Sequence, residues 1–158
     1  MDRNIIELYA QGAELVTRAI AGLTPADFVA FPVPNTWSIQ QIVIHLQDSD
    51  LIAADRMKRI AAEDCPLIVN YDETRFAERL QYHKADPMLA GQLFSLNRKV
   101  TAAMLRTLPD ETFDRVGVHT QKGKLTLGDV VQMYYDHLHH HLKFLYHKRH
   151  LLGKPLAM

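Results

Sequence analysis

Cysteine is nearly absent from this chain: Cys65 stands alone among 158 residues, so no intramolecular disulfide can staple the fold. With 47% of its residues hydrophobic, the chain has the length and composition to bury a core without one, and residues 1–158 read as a single domain. Neither charge is in excess, with 18 Lys and Arg against 18 Asp and Glu. The one basic neighbourhood, from Lys143 to Arg149, is short, so the electrostatic footprint of a nucleic-acid binder is missing. No stretch is apolar for long enough to span a bilayer, and the opening MDRNIIELYAQG lacks the basic start and apolar run of a signal peptide. Those absences predict a soluble, cytoplasmic protein with neither membrane nor nucleic acid as partner. Internal repeats and low-complexity tracts are also lacking.

What the chain does have is histidine, nine in all, of which His137, His139, His140, His141, His147 and His150 fall in one stretch. Across 126–152, Leu127, Val130, Val131, Tyr134, Leu138, Leu142 and Leu145 recur every three or four positions, which predicts an amphipathic helix. At roughly 100° per residue, His141 lies within the apolar face and His137 at its edge. His139 points away, and His140 is turned about a third of a turn from the interior. His137 and His141 stand at i and i+4, where two rings can grip one cation. Two ligands do not complete a site, since open catalytic zinc-type centres take three protein ligands and leave a position for water or substrate.

Three further helices precede this one. Helical spacing of Ile5, Leu8, Leu15, Ala19 and Ile20 runs from Asn4 to a stop at Gly22. Thr24 with Asp27 caps a short turn, and FPVPNTW, with its two prolines, is a loop ending on the sole tryptophan, Trp37, a lid on the core or a pocket wall. Ser38 and Gln41 form a capping box for a second long helix ending near Asp64 to Pro66, apolar nearly all round and therefore buried on several sides. A long connection follows, with a short helix over 72–81 and Tyr71 as either an exposed loop residue or the roof of a pocket. Asp86-Pro87 opens a third long helix whose apolar positions, Leu89, Leu93, Leu96, Val100, Met104, Leu105 and Leu108, predict its core face. Beyond a turn at 110–114, VGVHTQKGKLT reads as a brief surface hairpin carrying His119, and Thr126 with Asp129 caps the last helix. The prediction is an all-α, four-helix bundle, whose sites are built from side chains projecting inward from facing helices.

The third ligand must then come from His45, His83 or His119. His45 lies inside the apolar second helix, whereas the other two occupy connections. A site of His45, His137 and His141 stands here beside the plainer reading of three unrelated, hydrogen-bonded histidines. Asp48, one turn from His45, is a candidate to orient a ligand ring or shuttle a proton. Arg56, on the same helical row as His45, is a candidate contact for an anionic substrate. The plainer alternative leaves Asp48 solvated and pairs Arg56 with Asp55 or Glu63 at the surface.

The segments TWSIQQIVIHLQDSDLIAADRMK, PLIVNYDETRFAE and LPDETFDRVGVHTQKGKLTLGDVVQMYYDHLHHH, with the H-x-x-H-H ending, resemble the DinB and YfiT-like superfamily of metal-binding four-helix bundles. The likeness is closest to its YfiT-like group of metal-dependent hydrolases, related to bacillithiol transferases, and covers nearly the whole chain. It implies up-down-down-up topology with a long connection between the second and third helices. It also places the family's helix-two ligand on His45 and its helix-four pair on His137 and His141, and implies a homodimer.

Three neutral imidazoles on a divalent ion can activate a water or a thiol. The expected function is therefore a metal-dependent hydrolase or a thiol S-transferase acting on a small molecule, with a low-molecular-weight thiol as cosubstrate in the second case. Zinc or nickel is the expected ion, with iron or manganese as alternatives, and imidazole itself suits zinc, nickel, copper and iron alike. The competing expectations are a non-catalytic metal- or ligand-binding bundle and a structural protein without metal.

Overall fold

The computed structural model describes residues 3–156. In chain order its elements are α1 (Asn4–Gln11), α2 (Leu15–Ile20), α3 (Pro25–Val29), α4 (Ile39–Ala62), β1 (Leu67–Ile68), α5 (Glu73–Arg79), α6 (Pro87–Thr107), β2 (Val116–His119), β3 (Gly123–Thr126) and α7 (Leu127–Leu151). Their starts follow from local chemistry. Thr24 with Asp27, Ser38 with Gln41 and Thr126 with Asp129 each form a reciprocal capping box, satisfying amides that a helix start leaves without partners. Asp86 Oδ1 accepts from the Met88 and Leu89 amides ahead of Pro87.

The first predicted helix is two segments, α1 and α2, bent at a 3-10 turn over Gly12–Glu14. There the arm passes close to α6: a Cβ on Gly12 would lie 2.5 Å from Arg98 Nη1 and 2.7 Å from Leu138 Cδ2. Cross-links fix the directions of the four arms. Arg106 pairs with Glu7 and Lys99 with Glu14, so α6 runs antiparallel to α1 and α2. Gln40, at the start of α4, donates to the carbonyls of Tyr82 and Ala85 just ahead of α6, and Asp50 meets Arg98, so α4 and α6 are parallel. Arg56 bonds Tyr134 and Lys148 bonds Thr36 at opposite ends, setting α7 antiparallel to α4. The topology is up-down-down-up, as the resemblance implied, and the long connection returns the chain from the end of α4 to the start of α6.

That connection is less loose than its sequence suggested. β1 pairs in parallel with β2, which pairs antiparallel with β3, making a small three-stranded sheet. The sheet lies tight on α4, since a Cβ at Gly117 would meet Ile60 Cγ1 at 2.9 Å. The pairing of β1 with β2 overturns one expectation. His119 is not a solvated hairpin residue but is 3% exposed, with Nδ1 accepting from the Gln121 and Lys122 amides.

A second correction concerns α6. The predicted core positions Leu89, Leu93, Leu96 and Val100 are 63%, 41%, 60% and 64% exposed. The buried face runs instead through Ala90, Gly91, Phe94, Ser95, Arg98, Thr101, Ala102 and Leu105. Small residues let neighbouring helices approach there, and the buried charge of Arg98 is met by Asp50 at 2.8 Å. Along α4, α6 and α7 this pair falls between two apolar clusters, one around Leu46, Phe94 and Leu142, the other around Met57, Leu105 and Val131. Arg98 also donates to the carbonyls of Tyr134 (2.8 Å) and Tyr9 (3.4 Å) and lies over the Tyr9 and Phe94 rings. The polar layer therefore joins all four arms.

Candidate metal centre

Just beside that layer, α4 and α7 bring three rings together. His45 is on α4, wholly buried, and His137 and His141 are one turn apart on α7. One nitrogen from each lies within 4.8 Å of the others, and His45 Nε2 and His137 Nε2 are 3.1 Å apart. Two metal–nitrogen bonds of about 2.0–2.1 Å, at angles between square and tetrahedral, span roughly 2.9–3.4 Å. The closest edge of the triad fits that range.

The protonation of the rings fits too. Burial pushes His45 down to about 3, with the His141 charge adding to it. Burial and then the charges of His141, His45, Arg98 and His140 push His137 down to about 2. Burial and His140 push His141 down to about 4. All three imidazoles are thus neutral near pH 7 and keep a lone pair, the state a metal requires. His140 and His83 are exposed, and the His139 ring lies tilted against Tyr135, so α7 turns His141 and not His140 toward the other two rings.

Trp37 fills both expected roles, packing on the first apolar cluster and walling the site. Its ring is 4.9 Å from that of His45 and stacks on His141 at 6.4 Å with 9° between planes. The Ser38 capping box, which fixes where α4 begins, holds Trp37 at the mouth of the helix.

The two other predicted site residues are both near but tied differently. Asp48 receives a 2.6 Å bond from the Tyr82 hydroxyl and a 3.1 Å bond from Gln47. Among the described residues no hydrogen bond joins it to a site ring, and His45 Nδ1 is buried without a partner. Arg56 is buried, and donates to the Tyr134 hydroxyl and the Val69 carbonyl, each at 2.7 Å. Asp55 and Glu63 pair with Arg59 instead. Arg56 lines a cavity of about 160 Å³ with Tyr71, Glu73, His119, Lys122 and His137. Tyr71 takes the roofing role, half-buried, with burial pushing its phenol up to about 12.

Glu73 is the residue the sequence reading missed. Its Oε2 lies 3.7 Å from His45 Nε2, and its side chain is 57% exposed. Asp72 caps α5 by accepting from the Arg75 amide, and so sets Glu73 in the first turn facing the rings. That cap was visible in the sequence, but the folding of the connection back over α4 was not. On the opposite side, a cavity of about 330 Å³ is lined by Trp37, His141 and Lys148 among others.

The DinB superfamily profile matches residues 8–145, which include all three rings. Over 107 residues the chain is 35% identical to "Putative metal-dependent hydrolase YfiT" of Bacillus subtilis (strain 168), covering 67% of this chain and 60% of that protein. Over 106 residues it is 29% identical to "Putative metal-dependent hydrolase OB0782" of Oceanobacillus iheyensis, covering 67% and 61%. The matched stretch thus spans about 60% of the length of these curated relatives. The structure superposes on that of YfiT from Bacillus subtilis, described as a probable metal-dependent hydrolase with an unusual four-helix bundle topology, with a TM-score of 0.88, 27% identity and coverage of 95% and 86%. A DinB-like protein from Bacillus subtilis shares the fold, with a TM-score of 0.68 at 17% identity and coverage of 98% and 96%. On the profile match and the identity to YfiT together, the chain belongs to the DinB superfamily and, within it, to the YfiT-like group.

Proposed function

We propose that the chain is a metal-dependent enzyme that holds a divalent ion on His45, His137 and His141, and that hydrolyses a small-molecule substrate or joins a low-molecular-weight thiol to it. The observation that carries this reading is the convergence of three neutral imidazoles from two helices beside two cavities. An ion bound there with a coordination position open supplies Lewis acidity, making a water or a thiol nucleophilic near neutral pH. Zinc, nickel and iron all suit imidazole ligands.

The chain's own groups divide the remaining work. Glu73, close to the rings and partly in solvent, accepts the proton that the nucleophile gives up. Arg56 and Lys122 bring positive charge to the His137 side of the site and bind an oxygen-rich or anionic part of a reactant. Tyr71 and Tyr134 line the same cavity. Burial raises both phenols, so they stay protonated and donate hydrogen bonds through neutral pH. Trp37 shields the opposite side of the rings from water. Asp48 is a positioning residue: by holding Tyr82 it clamps the long connection, and Glu73 with it, onto α4.

The test is reconstitution of the purified protein with zinc or nickel, followed by metal analysis and turnover of an ester panel and of a thiol with a chlorinated acceptor. One ion per chain, lost in His45→Ala and His137→Ala together with turnover, is the expected result. Substoichiometric metal that these substitutions leave unchanged would refute the metal reading. Stoichiometric metal without turnover on either panel would favour a binding protein.

A further inference from the structure

Four cationic side chains are buried among the described residues: Arg56, Arg98, Lys148 and Arg149. Three of them are supplied with acceptors. Arg56 has a phenol and a carbonyl, Arg98 a carboxylate and two carbonyls, and Arg149 the carbonyls of Ala19, Ala21 and Lys154. Lys148 is the exception. At 3% exposure its ammonium has one partner, the Thr36 hydroxyl at 2.5 Å. No ion pair among the described residues includes it. An ammonium has three protons to donate, and burying one without a counter-charge is costly. Burial accordingly lowers its pKa.

Lys148 and Thr36 line the cavity of about 330 Å³ that shares His141 with the metal centre. Most of the rest of its lining is apolar, Val33, Trp37, Ile42 and Phe144, the last 50% exposed at the rim, where the exposed His147 also stands. The cavity therefore has an apolar wall, one underused and buried positive charge, an exposed histidine at its rim, and one ring of the triad. Seven residues of helix separate His141 from Lys148, about 10 Å of rise.

We propose that this pocket binds an apolar organic anion about 10 Å long, a carboxylate whose hydrocarbon or aryl body lies against Trp37, Ile42, Val33 and Phe144 and whose head pairs with Lys148 Nζ. Under the proposed function this acid is the substrate, held by its charged end with its far end toward His141. Binding itself needs no metal and stands or falls separately. The polar cavity on the His137 side then serves the second reactant, which suits a reaction between two molecules.

Trp37 is the chain's only tryptophan and lines the pocket, so its fluorescence reports occupancy. The experiment titrates metal-loaded protein with octanoate and, as a neutral counterpart, with octanol. Octanoate is expected to bind at least about tenfold more tightly than octanol, as a charge-assisted hydrogen bond in a desolvated site warrants. Lys148→Met should bring octanoate to the level of octanol while leaving octanol and the metal content unchanged. The exposed-rim variant Phe144→Ala should weaken both probes, which keeps the pocket testable should Lys148→Met fail to fold. Octanoate binding that persists in metal-free His45→Gln would uphold the pocket even if the metal reading fails. Equal binding of the two probes in the wild type overturns the proposal. So does octanoate binding that survives Lys148→Met but is lost in His45→Gln, because the acid would then be sitting on the metal.

Discussion

Lowering the pH of the metal-free protein tests the convergence of the three rings without any assumption about substrate. In the unfolded chain His45, His137 and His141 titrate near the ordinary value of 6.5, whereas in the fold burial holds them at about 3, 2 and 4. Between those values the unfolded state binds protons that the folded state refuses. Stability is therefore fully present above about pH 6.5 and is lost as the pH falls below it. Each ring contributes a slope of up to about 1.4 kcal/mol per pH unit, so three rings acting alone would cost roughly 4 kcal/mol by pH 5.5. Because the shifts are partly mutual and His137 and His141 are only half-buried, a loss of about 2–4 kcal/mol is the reasonable range. That is a large share of the 5–15 kcal/mol typical of a domain. Urea denaturation of the chelated protein from pH 7.5 to 5.0 measures it, and replacing all three rings by Gln should flatten the curve. Added zinc or nickel should raise stability near neutral pH and lose its effect in acid, where protons compete for the same lone pairs. A chelated wild type with flat stability down to pH 5.5, or a triple Gln variant with the same slope, would refute the reasoning.

Other expectations concern the frame. Arg98→Met should destabilise the fold by about 3–5 kcal/mol, because it strands a buried carboxylate; adding Asp50→Leu should recover part of that loss in the same urea assay, and no recovery would mean the pair is not coupled. Gly12→Ala should cost about 1–3 kcal/mol, since the new methyl meets Arg98 and Leu138; an unchanged denaturation midpoint would show that the arm can shift freely. The exposed row Leu89, Leu93, Leu96 and Val100 repeats at four, three and four residues, the spacing of a helix–helix seam. The chain is expected to self-associate through it, using roughly 400 Å² of apolar surface toward the ~800 Å² per partner of a standard interface; Leu96→Glu should turn a dimer into a monomer by sedimentation, and an unaltered mass would exclude this face.

Features decided by neighbours along the chain were legible in the sequence. The capping pairs announce themselves three residues apart, and His137 and His141 share a face by helical spacing alone. His45 was readable because the helix around it is apolar on nearly every side. What escaped depends on partners far away. The buried face of α6 carries Gly91, Ser95, Arg98 and Thr101, which no apolar pattern would select, and its charge is acceptable only because Asp50 lies opposite. The leucines on the other side gave the stronger periodic signal and pointed the wrong way. His119 is buried because β1, some fifty residues earlier, lies alongside β2. Glu73 reaches His45 only once α5 folds back over α4.

Arg98 has one more effect, on the dimensions of the site. Its guanidinium grips Asp50 and the carbonyl of Tyr134, which stand five residues past His45 on one helix and three before His137 on the other. Neither helix can slide by a turn without breaking that grip, so the guanidinium works as a gauge block for the spacing of the imidazoles. The loops that wall the two cavities can then change their sequence, and with it the molecules they admit, while the tripod of rings keeps its footing.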